Sequence, residues 1–254
     1  MPIVSRLSIT PVKGLALSHP DQALVGPRGV AENRRFYLID EDGRRYGLLR
    51  DGRLALVTAS YSDERLALGF PDGAAVEDEV RLGEAVVTDF YGSDRPAHLV
   101  EGPWNDALSS YVGRALRLAR ADAESGAIDR ERGTVSLLSQ ASLDELGRRS
   151  GYGAVDDRRF RMLFHVDGLG PHEEDEWIGR DVRVGAALIR LHDRVARCAI
   201  TTQNPETGRV DFDTLREIKA YRGTGPNGKE IDFGVFGEVV EPGVVCVGDR
   251  VEPL

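Results

Sequence analysis

A succession of short alternating segments cut by turns constrains the fold of this chain more than any other feature. In the first hundred residues "PIVSRLSITPV" alternates apolar and polar positions, and "RRFYLIDEDGRRYGLL" reads as a hairpin around Asp42-Gly43. "RLALVTASYSDERLALGF" supplies two more strands, and "AVEDEVRLGEAVVTDFYG" continues the pattern. Short strands at this spacing build a sandwich or barrel rather than a doubly wound sheet.

Helical stretches are few. The spacing predicts one from Asn105 to Leu116. A second carries a Ser-x-x-Glu capping box at Ser142 and Glu145, with Leu143 and Leu146 on one face and Gly151 as its stop. A third offers Leu215, Ile218 and Tyr221 at helical spacing before Gly223. The polar, turn-rich "ADAESGAIDRERGTV" separates two halves, residues 1–120 and 121–254, and further strands follow it. The reading is mainly β, in two halves.

With 42 acidic against 33 basic residues, the net charge of −9 disfavours nucleic acid and anionic membranes, although a cleft can hold a local field of the opposite sign. The start "MPIVSRLSITPVKG" has no secretory pattern, and no apolar run approaches the ~18 residues of a membrane span. The expected location is cytoplasmic, where Cys198 and Cys246 stay unpaired thiols.

Cys198 lies in "RVARCAITTQNPETGRVD", in a stretch that reads as strand from Arg190 to Gln203. An adjacent arginine favours the thiolate, which attacks electrophiles and binds soft metals. A free cysteine is equally a small hydrophobe inside a strand, and spacing alone favours that reading, because no His or Cys partner cluster is present. Cys246, between valines, reads as core. "GTGPNGKE" matches seven positions of a phosphate-binding loop but ends on Glu230 and follows a helix, so it reads as a surface loop. "HEEDEW" reads as a solvated acidic turn leading into Trp177. The five histidines form no cluster, and His165 and His192 read as satisfied structural residues. Lys13, Arg34, Arg35, Arg161 and Arg197, each alone a surface charge, could together line an anion-binding cleft.

The same positions carry a family resemblance. "TPVKGL" is similar to the "YPVKS" that opens MOSC proteins, named after the C-terminal domain of molybdenum cofactor sulfurase. "RRFYLID" resembles "DRFWLV", "LLSQASLDEL" is close to "LLSEASLADL", and "RRFRMLFHV" takes the place of "FRPNIVV". "EDEWIG" fits an acidic-Trp signature, "RCAITTQNPETG" is near "RCxxTTVDPxTG", and "FG" and "VGDRV" follow in order. The match runs nearly end to end, and the amidoxime-reducing components and their bacterial counterparts are the relatives it resembles. It implies a mainly-β fold with few helices, a β-barrel-like N-terminal half (1–120) packed against a MOSC barrel (121–254).

By this resemblance Cys198 ligates molybdenum held by a pterin dithiolene phosphate (molybdopterin), a soft-donor setting suited to the metal. Lys13, Gly14, Arg35, Thr134, Arg161 and Arg197 then hold the phosphate and pterin. The chain departs from the pattern at Met162-Leu163, where the family has Pro-Asn, at Gly14 for Ser, at Asn204 for Asp, and at Val239 for an aromatic residue.

The activity implied is reduction of N-oxygenated small molecules, such as N-hydroxylated amidines, to the parent base and water with two electrons and two protons. No four-cysteine ferredoxin pattern follows "VGDRVEPL", so a separate haem, flavin or iron–sulfur protein is the expected electron donor. Two alternatives stay open. One is a cofactor or sulfur carrier with a persulfide on Cys198, although the pyridoxal-phosphate domain of the full sulfurase has no room here. The other is a cofactor-free descendant that binds another phosphorylated ligand.

Overall fold

Alternation decides burial along the strands. In Asp181–Val184 the two valines point inward, and in Gln22–Val25 Ala23 and Val25 do so. The structure, a computed structural model, describes residues 1–31, 33–89, 92–122, 134–225 and 228–254.

Seven strands form the larger sheet, in the order Ile3–Leu7, Phe164–Asp167, Val135–Ser139, Asp232–Glu241, Ala187–Ala196, Asp181–Val184 and Val251–Pro253. Its two edges meet: Ile3 bridges Arg250, and the Val4 N–H donates to the Asp249 carbonyl at 2.8 Å. The sheet is therefore a nearly closed barrel, filled by Val4, Leu7, Phe164, Trp177, Ile189 and Val235 among others. Val135–Ser139 and Phe164–Asp167 run parallel, which requires a crossover. The helix Gln140–Ser150 provides it.

The expected division at residues 120 and 121 does not separate the sheets. Ile3–Leu7 is a barrel strand through Phe164–Asp167, and Gln22–Val25 pairs with Gly243–Cys246. The start of the chain thus completes the C-terminal barrel. The remaining N-terminal strands form a five-stranded sheet (Arg45–Tyr46, Phe36–Ile39, Arg117–Ala121, Asp94–Glu101, Arg81–Asp89) and a three-stranded one (Thr58–Ser62, Arg65–Gly69, Ala75–Glu79) around Phe36, Leu38, Leu54 and Trp104. The hairpin expected around Asp42-Gly43 is present, Leu38 pairing with Tyr46. Most of the turn-rich segment expected to separate the halves lies outside the described residues.

Among the described residues there are three α-helices: α1 (Trp104–Val112), α2 (Gln140–Ser150) and α3 (Thr214–Arg222). α1 stops at Gly113 rather than running to Leu116, because Gly113 turns left-handed and the next strand begins at Arg117. α2 starts before the expected Ser142–Glu145 box. Ser139 caps it by accepting from the Ser142 N–H, which leaves Glu145 to pair with Arg148 and Arg149, and Gly151 ends it as expected. Leu143, Leu146 and Ile218 of α2 and α3 join Phe160, Met162, Val195 and Phe233 in a core at the barrel's flank.

At three places the structure departs from the sequence expectation. The "HEEDEW" segment is not a solvated turn: Glu174 is fully buried and accepts from the Ser142 hydroxyl at 2.7 Å, while Asp175 pairs with Arg194 and Arg222. Cys246 is half-exposed, because the inward position of its strand belongs to Val245. His165 is buried 3.2 Å from Asp157, yet neither ring nitrogen has a hydrogen-bond partner. Burial, partly offset by that carboxylate, pushes its pKa down to about 4.

Candidate functional site

The strand Ala187–Ala196 ends in register shifts against its neighbour, and the chain leaves the sheet at Arg197. Cys198 does not continue the strand, contrary to the sequence reading. It is the N-cap of a short 3-10 turn, Ala199–Thr202, where the Thr201 N–H and hydroxyl both return to the Cys198 carbonyl, at 3.2 and 3.1 Å. Threonine hydroxyls that bond back to a carbonyl three residues earlier favour such a turn over an extended strand. The turn leaves the thiol exposed, and both cysteines are free.

Cys198 lies on the wall of a cleft of about 240 Å³ between the N-terminal core and the barrel's flank. The cleft is lined by six cations, Lys13, Arg34, Arg45, Arg159, Arg161 and Arg197, and by no carboxylate among the described residues. In a chain with an acidic excess this is a local reversal of sign, and it suits an anionic ligand.

The N-terminal half contributes through residues 10–15, fastened to residues 33–36. The Arg34 N–H donates to the Thr10 carbonyl at 2.6 Å, the Lys13 N–H to the Phe36 carbonyl at 2.7 Å, and the Thr10 N–H to the Asn33 side chain at 3.1 Å. This sets Lys13 and Gly14 beside Arg34. Arg34 and Arg161 both adopt left-handed backbone, with φ of +57° and +53°, an uncommon conformation that clusters at functional sites. Their side chains interlock: Arg34 Nη2 donates to the Arg161 carbonyl at 2.7 Å, and Arg161 Nη2 to the Leu15 carbonyl at 2.6 Å. Burial, and then the charge of Arg34, push the Arg161 pKa down to about 9. A bound anion would oppose both effects.

Arg159 and Arg197 are turned into the protein. Arg159 is buried, paired with Asp211 at 2.7 Å, and donates to the Thr202 carbonyl, which anchors the turn after Cys198. Arg197 donates to the carbonyls of Phe160 and Phe233. Of the residues the sequence singles out, Lys13, Gly14, Thr134, Arg161, Arg197 and Cys198 line this one cleft. Arg35 does not. Arg34 sits in the left-handed turn just before the strand Phe36–Ile39 and takes the cleft side, while the charge of Arg35 acts on the Tyr61 phenol.

Sequence reasoning missed Arg45, Arg159, and the apolar wall of Leu48 and Ile200. "DDRRFRM" and "GRRYGLL" carry no signal that separates an inward arginine from a surface one.

The donor set fits a metal brought in with its own ligands. Among the described residues no group of three or more His, Cys, Asp or Glu side chains could hold an ion, so a metal here would take Cys198 as its one protein ligand. Thr134 Oγ1 is buried without a hydrogen-bond partner on the cleft wall, an open contact for a polar ligand. Met162 and Leu163 are 2% and 3% exposed and offer no polar side-chain contact of the kind Asn would give. The fit holds for the thiol and the cations, with that one contact missing.

Residues 126–252 match the sequence profile of the family described as MOSC domain, and residues 1–102 that of the MOSC N-terminal beta barrel domain. Mitochondrial amidoxime-reducing component 1 of Mus musculus is 27% identical over 98% of this chain and 81% of its own length. Mitochondrial amidoxime reducing component 2 of Bos taurus is 28% identical over 98% of this chain and 82% of its own length. Molybdenum cofactor sulfurase of Anopheles gambiae is 26% identical over 84% of this chain and 31% of its own length.

Proposed function

The chain belongs to the MOSC family, and on that premise we propose that it is a molybdenum–molybdopterin oxidoreductase that reduces N-hydroxylated small molecules. The observation that carries the reading is an exposed thiol on the wall of a carboxylate-free cleft lined by six cations. The names of the vertebrate relatives, amidoxime-reducing components, supply the substrate class.

In this reading Cys198 is the protein's ligand to the metal, and Lys13, Arg34, Arg161, the Gly14 backbone and Thr134 hold the phosphate and pterin. Arg34 takes the role first given to Arg35. When bound, the group supplies a two-electron redox centre able to remove the substrate's N–O oxygen as water. The chain's own part is to orient that group, to neutralise its phosphate, and to present Leu48 and Ile200 as an apolar wall for the substrate body. Electrons are to come from a separate haem, flavin or iron–sulfur protein. No helix among the described residues is long and apolar enough to cross a membrane. A cytoplasmic setting remains part of the proposal, beside relatives whose names are mitochondrial.

The exposure of Cys198 also suits a sulfur carrier. Protein purified from a host that makes the cofactor, given a chemical electron donor and an N-hydroxylated amidine, separates the two. Reduction by the wild type that falls to background in Cys198→Ala supports the reductase. A persulfide on Cys198 with no reductase activity contradicts it.

A further inference from the structure

The family resemblance makes Arg197 a contact for the cofactor, but its side chain is engaged elsewhere. Nε donates to the Phe233 carbonyl at 2.7 Å and Nη1 to the Phe160 carbonyl at 3.0 Å. Nη2 reaches the Phe233 carbonyl and the Met162 sulfur, and the guanidinium lies over the Phe160 ring, 5.1 Å from its centroid. Phe160 and Met162 are the two neighbours of Arg161, the residue held at φ +53° with its guanidinium on the Leu15 carbonyl. The strand Asp232–Glu241 makes room for this arrangement at Gly234. A Cβ there would lie 2.9 Å from Met162 Cε and 3.2 Å from Arg197 Nη2, at a φ of +72°.

We propose that Arg197 is a positioning residue, a strut that joins the Cys198 turn to the left-handed bend at Arg161 and so fixes the thiol and the anion-binding guanidinium relative to each other. Met162 becomes part of this strut: the thioether that stands where the family has proline accepts from the guanidinium. A planar fork with several fixed donors can span two carbonyls and a sulfur at once, which a single ammonium cannot. The inference rests on the reading of this cleft as the anion and metal site.

The test uses the cofactor-free full chain, with Cys246→Ser as background so that alkylation reports on Cys198 alone. Two quantities are read: the Kd for pyrophosphate by calorimetry, and the rate of Cys198 alkylation by iodoacetamide. Arg197→Lys keeps the charge but loses the fork. The strut predicts pyrophosphate binding weaker by about tenfold, the scale of a lost charge-assisted hydrogen bond, together with a changed alkylation rate. Binding and alkylation both within about twofold of the parent, less than the tenfold expected for such a loss, would overturn it, because a direct ion contact tolerates lysine.

If Arg197→Lys does not fold, Met162→Leu and Phe160→Leu decide. Each removes one support of the strut, and no change in either readout overturns the proposal. If the parent protein does not bind pyrophosphate at all, the anion reading of the cleft fails on its own. The alkylation rate then still decides the strut: unchanged in these variants it overturns the proposal, and changed it supports it.

Discussion

Arg161 holds its charge in surroundings that disfavour it: the guanidinium is half-buried on the cleft wall, the like charge of Arg34 acts on it, and the backbone is left-handed. A residue kept under such conditions has its reason in what it binds. Without an anion, Arg161→Met is expected to be at least as stable as the wild type, because it removes a poorly solvated cation. With pyrophosphate at a hundred times its Kd, the wild type gains about 2.7 kcal/mol and the variant gains little. Thermal melts with and without pyrophosphate check both halves. The place of Cys198 on the cleft wall is legible in sequence only through the long motif around it. The choice of Arg34 over Arg35 is not legible there, since two adjacent arginines look alike until a positive φ decides which one faces the cleft.

The elements that carry these residues differ in how far local sequence encodes them. α2 and α3 showed in their apolar spacing and their closing glycines, which are local signals. The end of the strand before Cys198 did not show, because what stops it is a threonine turn and a long-range bond from the Arg197 N–H to the Ile231 carbonyl. The turn after Cys198 is seated against the N-terminal half by backbone contact. The Gln203 side chain donates to the Leu48 carbonyl at 2.8 Å, and a Cβ on Gly208, at φ +69°, would come within 2.3 Å of the Gly52 carbonyl oxygen. Gly208→Ala is therefore expected to destabilise the protein by more than about 1 kcal/mol, since strain at positive φ and a backbone clash act together. Urea unfolding measures the loss, and an unchanged midpoint would contradict this seating.

For the whole molecule, the two halves are built into each other rather than joined end to end. Ile3–Leu7 and Gln22–Val25 lie in sheets of the C-terminal half, and the cleft takes Lys13 and Arg34 from one half and Arg161 and Cys198 from the other. The mainly-β class followed from alternation, which each strand displays locally. The interlocking depends on pairings more than 150 residues apart, and no short-range pattern encodes those. The charge reversal belongs to this scale as well, because it arises only when the two halves meet.

The central claim, that the Cys198 sulfur bonds molybdenum in this cleft, is tested most directly by molybdenum-edge X-ray absorption on protein from a cofactor-making host, comparing the wild type with Cys198→Ser. The account predicts one sulfur donor more around the metal in the wild type than in the variant. Purified wild type without molybdenum, or the same sulfur count in both proteins, would contradict it.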